Sequence, residues 1–571
     1  MEFKDVSLYL DKLEKTSSRI EITKTLAELI REAGSDEIDK IVYLLLGVLT
    51  PSYRSVVFNV AEKMMIEVVA KAYEIDKDTV TAKYKEVGDL GDTAYYYANK
   101  RTGKSKLQVN EIYNDLIEIA EDEGEGSQDR KIDSLARLIA SLDATSAKFI
   151  ARIPIGKLRL GFSDKTIIDA ISWSISDDKS YSAKLKKAYG VLPDVGLLAK
   201  NVKQKGIDET VNNISPELGV PVMPMLAQRI KTTKEMIEKM GEIAIEPKFD
   251  GVRVLIHYAK SKDNENPFVR AFTRNLNDVT HMFPELNEIG RYIKAESAIF
   301  DTEGVGVDPK TERLVDFQMT MQRRRKHNIG KTALDIPLRF QVFDVVMVNG
   351  ESLMNLPYEK RRKILGEIII KNKFIVVDQF TKTQDATFIR KEHKRLIDLG
   401  LEGIIVKKLS SKYVAGRTGF RWVKMKEVED TNGKLSDTVD CVVMGFSRGR
   451  GKRANFGVGQ FLAGIKKADR FATITKVGTG LSDEQFKTLN EKLKTIVTDK
   501  KPKGYVVDKT LEPDFWVTPS LVVELAADEI TVSPRHTSGY ALRFPRLVRF
   551  RYDKTADQVT MLEEIKEIGN L

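Results

Sequence analysis

Lys248 sits in the run IEPKFDGVR, with Asp250, Gly251 and Arg253 close behind it. An unprotonated lysine amine is a nucleophile, but an ordinary pKa of about 10.4 leaves little free base at neutral pH. Neighbouring cations and desolvation lower that value, and Arg253 is near enough in sequence to contribute. In an extended chain Glu246, Lys248 and Asp250 share one face. Pro247 lacks an N–H and suits the start or edge of a strand. Gly251 lets backbone approach a ligand closely. Taken alone, the run also reads as a surface strand carrying a Lys–Asp pair.

Further chemistry-bearing residues follow at strand spacing. Asp301 and Glu303 in FDTEGVGVD lie two apart, hence on one face. Phe343 places an aromatic ring in the aliphatic run QVFDVV. Glu402 precedes the apolar strand Gly403-Ile404-Ile405-Val406, which ends in Lys407. Lys424 and Lys426 share a face of WVKMK, away from Val423 and Met425. Singly, each reads as a solvated face, a core phenylalanine or a surface pair. Together they supply an amine nucleophile, an aromatic plate for a base, cations for phosphate oxygens and carboxylates for a hard divalent ion. That set suits attack on an α-phosphate, a chemistry that relies on positioning and charge stabilisation.

The elements that must position these residues span 571 positions, too many for one core, so three or four domains are expected. The formal charge of +10 favours an anionic partner, though weakly at this length. One cysteine, Cys441, rules out a disulfide framework or a cysteine-ligated zinc module and reads as buried packing. The five histidines show no metal-ligand spacing. The N-terminus is charged, without a signal-peptide core, and no run of about 18 apolar residues exists. A cytoplasmic protein without a membrane segment is expected.

Residues 1–213 read as an all-α domain, with helical spacing over 25–30, 41–49, 56–72 and 109–120 and an αL cap at Gly34. Pro216, Pro221 and Pro224 mark 214–228 as an extended linker. Residues 229–429 read as α+β, with strands over 251–258, 298–303, 338–348, 403–407 and 422–426 and helices over 358–370 and 386–399. Residues 430–571 read as a small β-barrel, with strands over 438–445, 459–466, 471–477 and 521–527.

The motifs EPKFDGVR, AFTRN, FDTEGVGVD, FQVFDVV, EGIIVKK and WVKMK occur in order, and the set resembles the covalent nucleotidyltransferases: DNA ligases, RNA ligases and capping enzymes. LRFPRLVRFRYDK, MPMLAQRI, DFQMTMQRRRK, GRGKRANFGVG and FIARIPIGKLRLGF resemble the ATP-dependent DNA ligases, and GEGSQDRK and SGYALRFPR the archaeal replicative type. The resemblance covers nearly the whole chain. It implies a helical DNA-binding domain, an adenylation domain and an OB-fold domain, acting with ATP and Mg²⁺ on nicked duplex DNA in replication, recombination and repair.

Carried over by residue, the resemblance makes Lys248 the lysyl-AMP nucleophile and sets Glu246 at the adenine edge, with Asp250 a further candidate. Arg253 and Arg274 would meet sugar and phosphate, Glu303 ribose or metal, and Glu402 metal. Phe343 would stack on adenine. Arg417 and Lys424 would meet phosphates, with Lys426 nearby; Arg421 is an alternative to Arg417. Arg551, Asp553 and Lys554 match the element that orients pyrophosphate. Lys148, Arg152, Lys157 and Arg159 in the helical domain, and Arg448, Arg450, Lys452 and Arg453 in the barrel, are candidate phosphate contacts. The bland alternatives are a basic amphipathic helix and a solvated hairpin loop. Gly156 and Gly161 could open helix ends to phosphates. A monomer is expected. A sliding clamp is a family partner, but NKRTGKSKLQVNEIY lacks the paired aromatics of its recognition peptide. A capping guanylyltransferase, an RNA ligase and a non-catalytic DNA-binding scaffold are the competing readings, separable by nucleotide, by substrate strand and by a nick-sealing assay.

Overall fold

Side-chain caps and apolar spacing turn the N-terminal region into successive helices, from Phe3–Glu14 to Ile207–Asn212. Asp143 accepts from the N–H groups of Thr145 and Ser146 at the start of Ala144–Arg152. Asp194 caps Val195–Lys205 and also accepts from the hydroxyls of Tyr43 (2.7 Å) and Tyr53 (3.0 Å). Phe3, Leu26, Ile41, Leu116, Leu135 and Phe149 are fully buried in the shared core. The computed structural model describes the chain except residues 101–105, 159, 231, 262–266, 325–328, 417–418, 427–437, 449–456, 479–480, 482, 528 and 570–571, and the side chains at 229, 324, 426 and 483. It divides into two compact units, Met1–Met425 and Lys426–Leu571.

Two local expectations in the helical region are corrected. Helix Arg19–Glu32 ends through Ala33 in an extended conformation, and Gly34 is not left-handed. The Gly34 N–H is instead satisfied by the Glu37 carboxylate at 2.9 Å. The helical pattern over 56–72 is helix only from Glu62 to Tyr73, because positive φ at Ser55 and Asn59 breaks the earlier part.

Two sheets form the α+β part. In the first, Gln228–Arg229, Trp422–Lys426, Gly403–Lys408, Ile243–Lys248 and Thr381–Thr383 lie side by side in that order. In the second, the order is Phe268–Thr273, Val252–Ala259, Ser297–Gly306, Leu338–Val348 and Glu351–Ser352, with Ile375–Val377 running parallel to Leu338–Val348. The chain crosses from the first sheet to the second between Lys248 and Val252. A Cβ on Gly251 would lie 2.4 Å from the carbonyl oxygen of Gly304, so only glycine fits the crossing. Helix Tyr358–Ile368 is locked onto Leu338–Val348 by Arg361, which donates to both oxygens of Asp344 at 2.7 and 2.8 Å with both residues fully buried.

The proline-rich stretch does more than link. Val222 and Met225 are buried with Leu255, Phe272, Ile299 and Trp422. The Met223 N–H donates to the carbonyl of Gly190. Gln228 and Arg229 pair in parallel with Val423 and Lys424. It turns back at Leu218-Gly219, where Glu217 bridges Val220, and its later residues form a structural wall.

The second unit is a curled eight-stranded sheet, with Val439–Arg448, Val458–Lys467 and Arg470–Val477 antiparallel at its centre, in the manner of an OB half-barrel. Helix Asp483–Lys494 and the short strands Phe515–Val517, Glu529–Val532, Tyr540–Arg543 and Arg546–Phe550 were not expected from sequence. Cys441 is fully buried in its core, and burial pushes its thiol pKa up.

Candidate functional site

Antiparallel register sets Gly403 opposite Lys248, and the Glu402 N–H donates to the Lys248 carbonyl at 3.1 Å. Glu402 is thereby held beside the lysine, and its carboxylate pairs with the Lys248 Nζ. Lys248 lines a cavity of about 630 Å³ with walls from both sheets. Glu303, Phe343, Lys424, Arg274 and Asp250 line it too. Arg274 and Asp250 are exposed at its margin, whereas Glu303, Phe343 and Lys424 are half-buried.

Behind the lysine the cavity deepens into a buried ionic cluster. Glu246 accepts from the Tyr358 hydroxyl on one oxygen, and its other oxygen is 2.5 Å from the Lys407 Nζ. Lys407 is itself 1% exposed and lies over the rings of Phe343 at 4.6 Å and Trp422 at 4.4 Å. Phe343 meets Trp422 edge-on at 5.9 Å. Sequence reasoning assigned no role to Lys407, Tyr358, Trp422 or Asp378. The one available signal for Lys407 was its place two residues beyond Ile405, on the strand face that lines the cavity.

Arg253 is more committed than a substrate contact needs. It donates to both oxygens of Asp301 at 2.9 and 2.7 Å and to the Met225 carbonyl at 2.8 Å. Burial opposes its charge, but Asp301 outweighs that and holds its pKa above the usual value. Its guanidinium lies 5.4 Å from the centre of the Phe343 ring. Arg253 stands opposite Glu303 in register. Burial pushes the Glu303 carboxyl up to about 7 against the pull of Arg253 and Lys248, with Asp301 and Asp250 adding to the rise. Glu303 is thus a half-buried, desolvated acid whose negative charge is only partly matched. Carboxylate oxygens are the hard donors that a magnesium-type ion takes, so Glu303 with Glu402 fits such a ligand set. Among the described residues no ready-made trio of metal-binding side chains is present. Arg417 and the Lys426 side chain lie outside the described residues.

The C-terminal candidates sit in the second unit. Arg551 donates to Asp440 at 3.1 and 3.0 Å and to Asp553 at 2.9 and 2.7 Å. Lys554 donates to the same Asp440 at 2.6 Å. Arg448 is exposed and lies over Phe515. Arg450, Lys452 and Arg453 lie outside the described residues.

The helical-domain candidates differ in how far they are buried. Arg152 is 2% exposed and ion-paired with Asp89, Glu14 and Asp92 at 2.8, 2.8 and 3.2 Å. It braces helices from within, with its guanidinium committed to these acids. Gly91 leaves it room, since a Cβ there would lie 2.5 Å from the Arg152 Nε. Lys148 is largely buried between Glu14 (2.6 Å) and Asp92 (3.2 Å). Lys157 is partly exposed and pairs with Glu62. Gly156 and Gly161 both take positive φ. Arg159 lies outside the described residues. His257 is fully buried, and no helix among the described residues is long and apolar enough to cross a membrane.

Comparison with known sequences matches three family descriptions in chain order. "DNA ligase N terminus" covers residues 2–172, "ATP dependent DNA ligase domain" residues 224–426 and "ATP dependent DNA ligase C terminal region" residues 454–554. A "Probable DNA ligase" of Dictyoglomus turgidum is 40% identical across 100% of this chain and 97% of its own. The DNA ligases of Caldivirga maquilingensis and Saccharolobus solfataricus are 37% and 35% identical over the same shares. The solved chain designated Pmar-Lig_PreS3 has the same fold, with a TM-score of 0.55 at 18% identity over 96% of this chain and 99% of that one.

Proposed function

Because this chain belongs to the ATP-dependent DNA ligases, which seal nicks in DNA, we propose that Lys248 is the residue that carries AMP between ATP and the nick. Its Nζ attacks the α-phosphorus of ATP, the bond to the β-phosphate oxygen breaks, pyrophosphate leaves and the amine gives up a proton. A 5′-phosphate oxygen at the nick then attacks the same phosphorus, the P–N bond breaks and lysine departs as the free amine after its nitrogen takes back a proton. The 3′-hydroxyl attacks the activated 5′-phosphate, AMP leaves and a phosphodiester bond closes. The observation that carries this reading is the shared cavity: Lys248, Phe343, Glu303, Arg274 and Lys424 line one space large enough for a nucleotide.

Within it Phe343 stacks on the base and the buried Glu246 lies at the base edge. Arg274, Lys424 and Arg417 meet the phosphates and Arg253 the sugar side, with Asp250 and Lys426 nearby. A divalent ion held by Glu303 and Glu402 would offset phosphate charge. Before Lys248 can attack, its pairing with Glu402 must open. Arg551, Asp553 and Lys554 orient pyrophosphate. Lys157, Arg159, Arg448, Arg450, Lys452 and Arg453 grip the DNA backbone without reading sequence. The units are read as a helical DNA-binding domain (1–213), a connecting segment (214–228), an adenylation domain (229–429) and an OB-fold domain (430–571). The enzyme is read as a cytoplasmic monomer that serves replication, recombination and repair.

Incubation with α-labelled ATP tests the assignment. Wild-type protein is expected to carry label, and Lys248→Arg none, since arginine stays protonated. Label retained by folded Lys248→Arg protein refutes it.

A further inference from the structure

We propose that Asp378 is a second base-reading residue of the Lys248 cavity, accepting a hydrogen bond from the exocyclic amine of adenine beside Glu246. The inference rests on the nucleotide reading of that cavity. Strand pairing sets Val377 opposite Val342, and the Asp378 N–H donates to the Val342 carbonyl at 3.2 Å. Asp378 is therefore one strand over from Phe343, and both line the cavity. Arg362 fixes the segment by donating to the backbone carbonyls of Asp378 and Val342.

Asp378 is 7% exposed, and among the described residues its carboxyl oxygens accept no hydrogen bond. Glu246 differs: each of its oxygens already has a partner, Tyr358 on one and Lys407 on the other. Asp378 thus carries unused acceptor capacity in the cavity, alongside the unpartnered donor of the Trp422 indole Nε1. A buried carboxyl without a donor is costly, and the deficit is relieved when a ligand brings one. Burial first, and the charge of Glu246 second, hold this carboxyl well above the usual carboxylate range. Protonated or not, it keeps an oxygen able to accept an amine. Adenine stacked on Phe343 would offer its 6-amino group as that donor.

The test pairs a change in the protein with a change in the ligand. Lys248-AMP formation is measured in single turnovers with ATP and with purine riboside triphosphate, which lacks the 6-amino group. Wild-type protein is expected to favour ATP by about tenfold or more in kcat/KM, the effect of one strong hydrogen bond. Asp378→Ala is expected to lose about tenfold of that preference, mostly through KM, with kcat at saturating ATP little changed. Asp378→Asn keeps an acceptor oxygen and is expected to retain part of the preference. Equal use of the two nucleotides by wild-type protein overturns the inference without any variant. So does an unchanged preference in Asp378→Ala protein of wild-type melting temperature. If wild-type protein forms no covalent adduct with ATP, the nucleotide reading itself has failed.

Discussion

Replacing Gly251 by alanine tests whether the crossing between the two sheets positions the nucleophile. The added Cβ would start 2.4 Å from the carbonyl oxygen of Gly304 and 3.1 Å from both Glu303 Cγ and Val305 Cγ2. Real Cβ atoms essentially never approach within 3.0 Å, so the backbone must give by about 0.6 Å. The oxygen is main chain, on a strand paired on both sides, and cannot swing away as a flexible side chain would. Overpacking of this kind costs about 1–3 kcal/mol of stability. The larger effect is expected on chemistry. Lys248 and Arg253 flank the crossing, and misplacement of a reacting group by about 1 Å can cost about 100-fold in rate. The rate of Lys248-AMP formation at saturating ATP should therefore fall by about 30-fold to 100-fold, while the far-UV circular dichroism stays native. Single-turnover labelling with α-labelled ATP measures it. A rate within threefold of wild type, in protein with an unchanged melting temperature, would refute the reasoning.

Other parts of the molecule give further expected outcomes. Burial holds His257 down at about 3 in the folded chain, against an ordinary value near 6.5. Above pH 6.5 it has no effect on stability; as pH falls below that, only the unfolded chain takes the proton, and stability drops by about 1.4 kcal/mol per pH unit until about pH 3. Hydrogen exchange of the Val252–Ala259 amides at pH 7 and pH 5 should show a loss of about 2 kcal/mol, absent in His257→Phe. Arg152→Leu strands buried Asp89 and its acidic neighbours and should cost about 3–5 kcal/mol, read as a lower melting temperature of the helical region. Arg152→Leu protein assayed below its melting temperature should keep the wild-type salt dependence of DNA binding, whereas loss of a phosphate contact would lower the slope by about one. Gly366 lies in helix Tyr358–Ile368 with open space where a Cβ would go, so Gly366→Ala should raise stability by up to about 1 kcal/mol, measured by thermal melting with nick sealing unaffected.

The long strands were the most legible part of the sequence. Leu338–Val348 and Trp422–Lys426 begin and end where alternation and composition placed them. A strand whose two faces differ declares itself, and the cavity-lining residues inherit that clarity. The partners of Glu246 were not visible, because Tyr358 comes from a helix 112 residues away and nothing local to either residue records the meeting. The burial of Arg152 was hidden for a related reason. A basic helix looks solvated until Asp89 and Glu14, 63 and 138 residues away, are folded against it. The prolines of 214–228 announced an extended chain, yet extension says nothing about burial, and Val222 and Met225 turned out to be interior. The missed strands of the second unit, such as Phe515–Val517, are too short for alternation to register.

The lone thiol at Cys441 has a practical use. It is sealed inside the second unit and holds its proton tightly, so a maleimide dye should pass over it while the protein is folded. A cysteine introduced on the surface of each unit would then be the only reactive pair in the molecule. Donor and acceptor fluorophores attached there would test, one molecule at a time, whether the distance between the labels responds to nucleotide and nicked duplex.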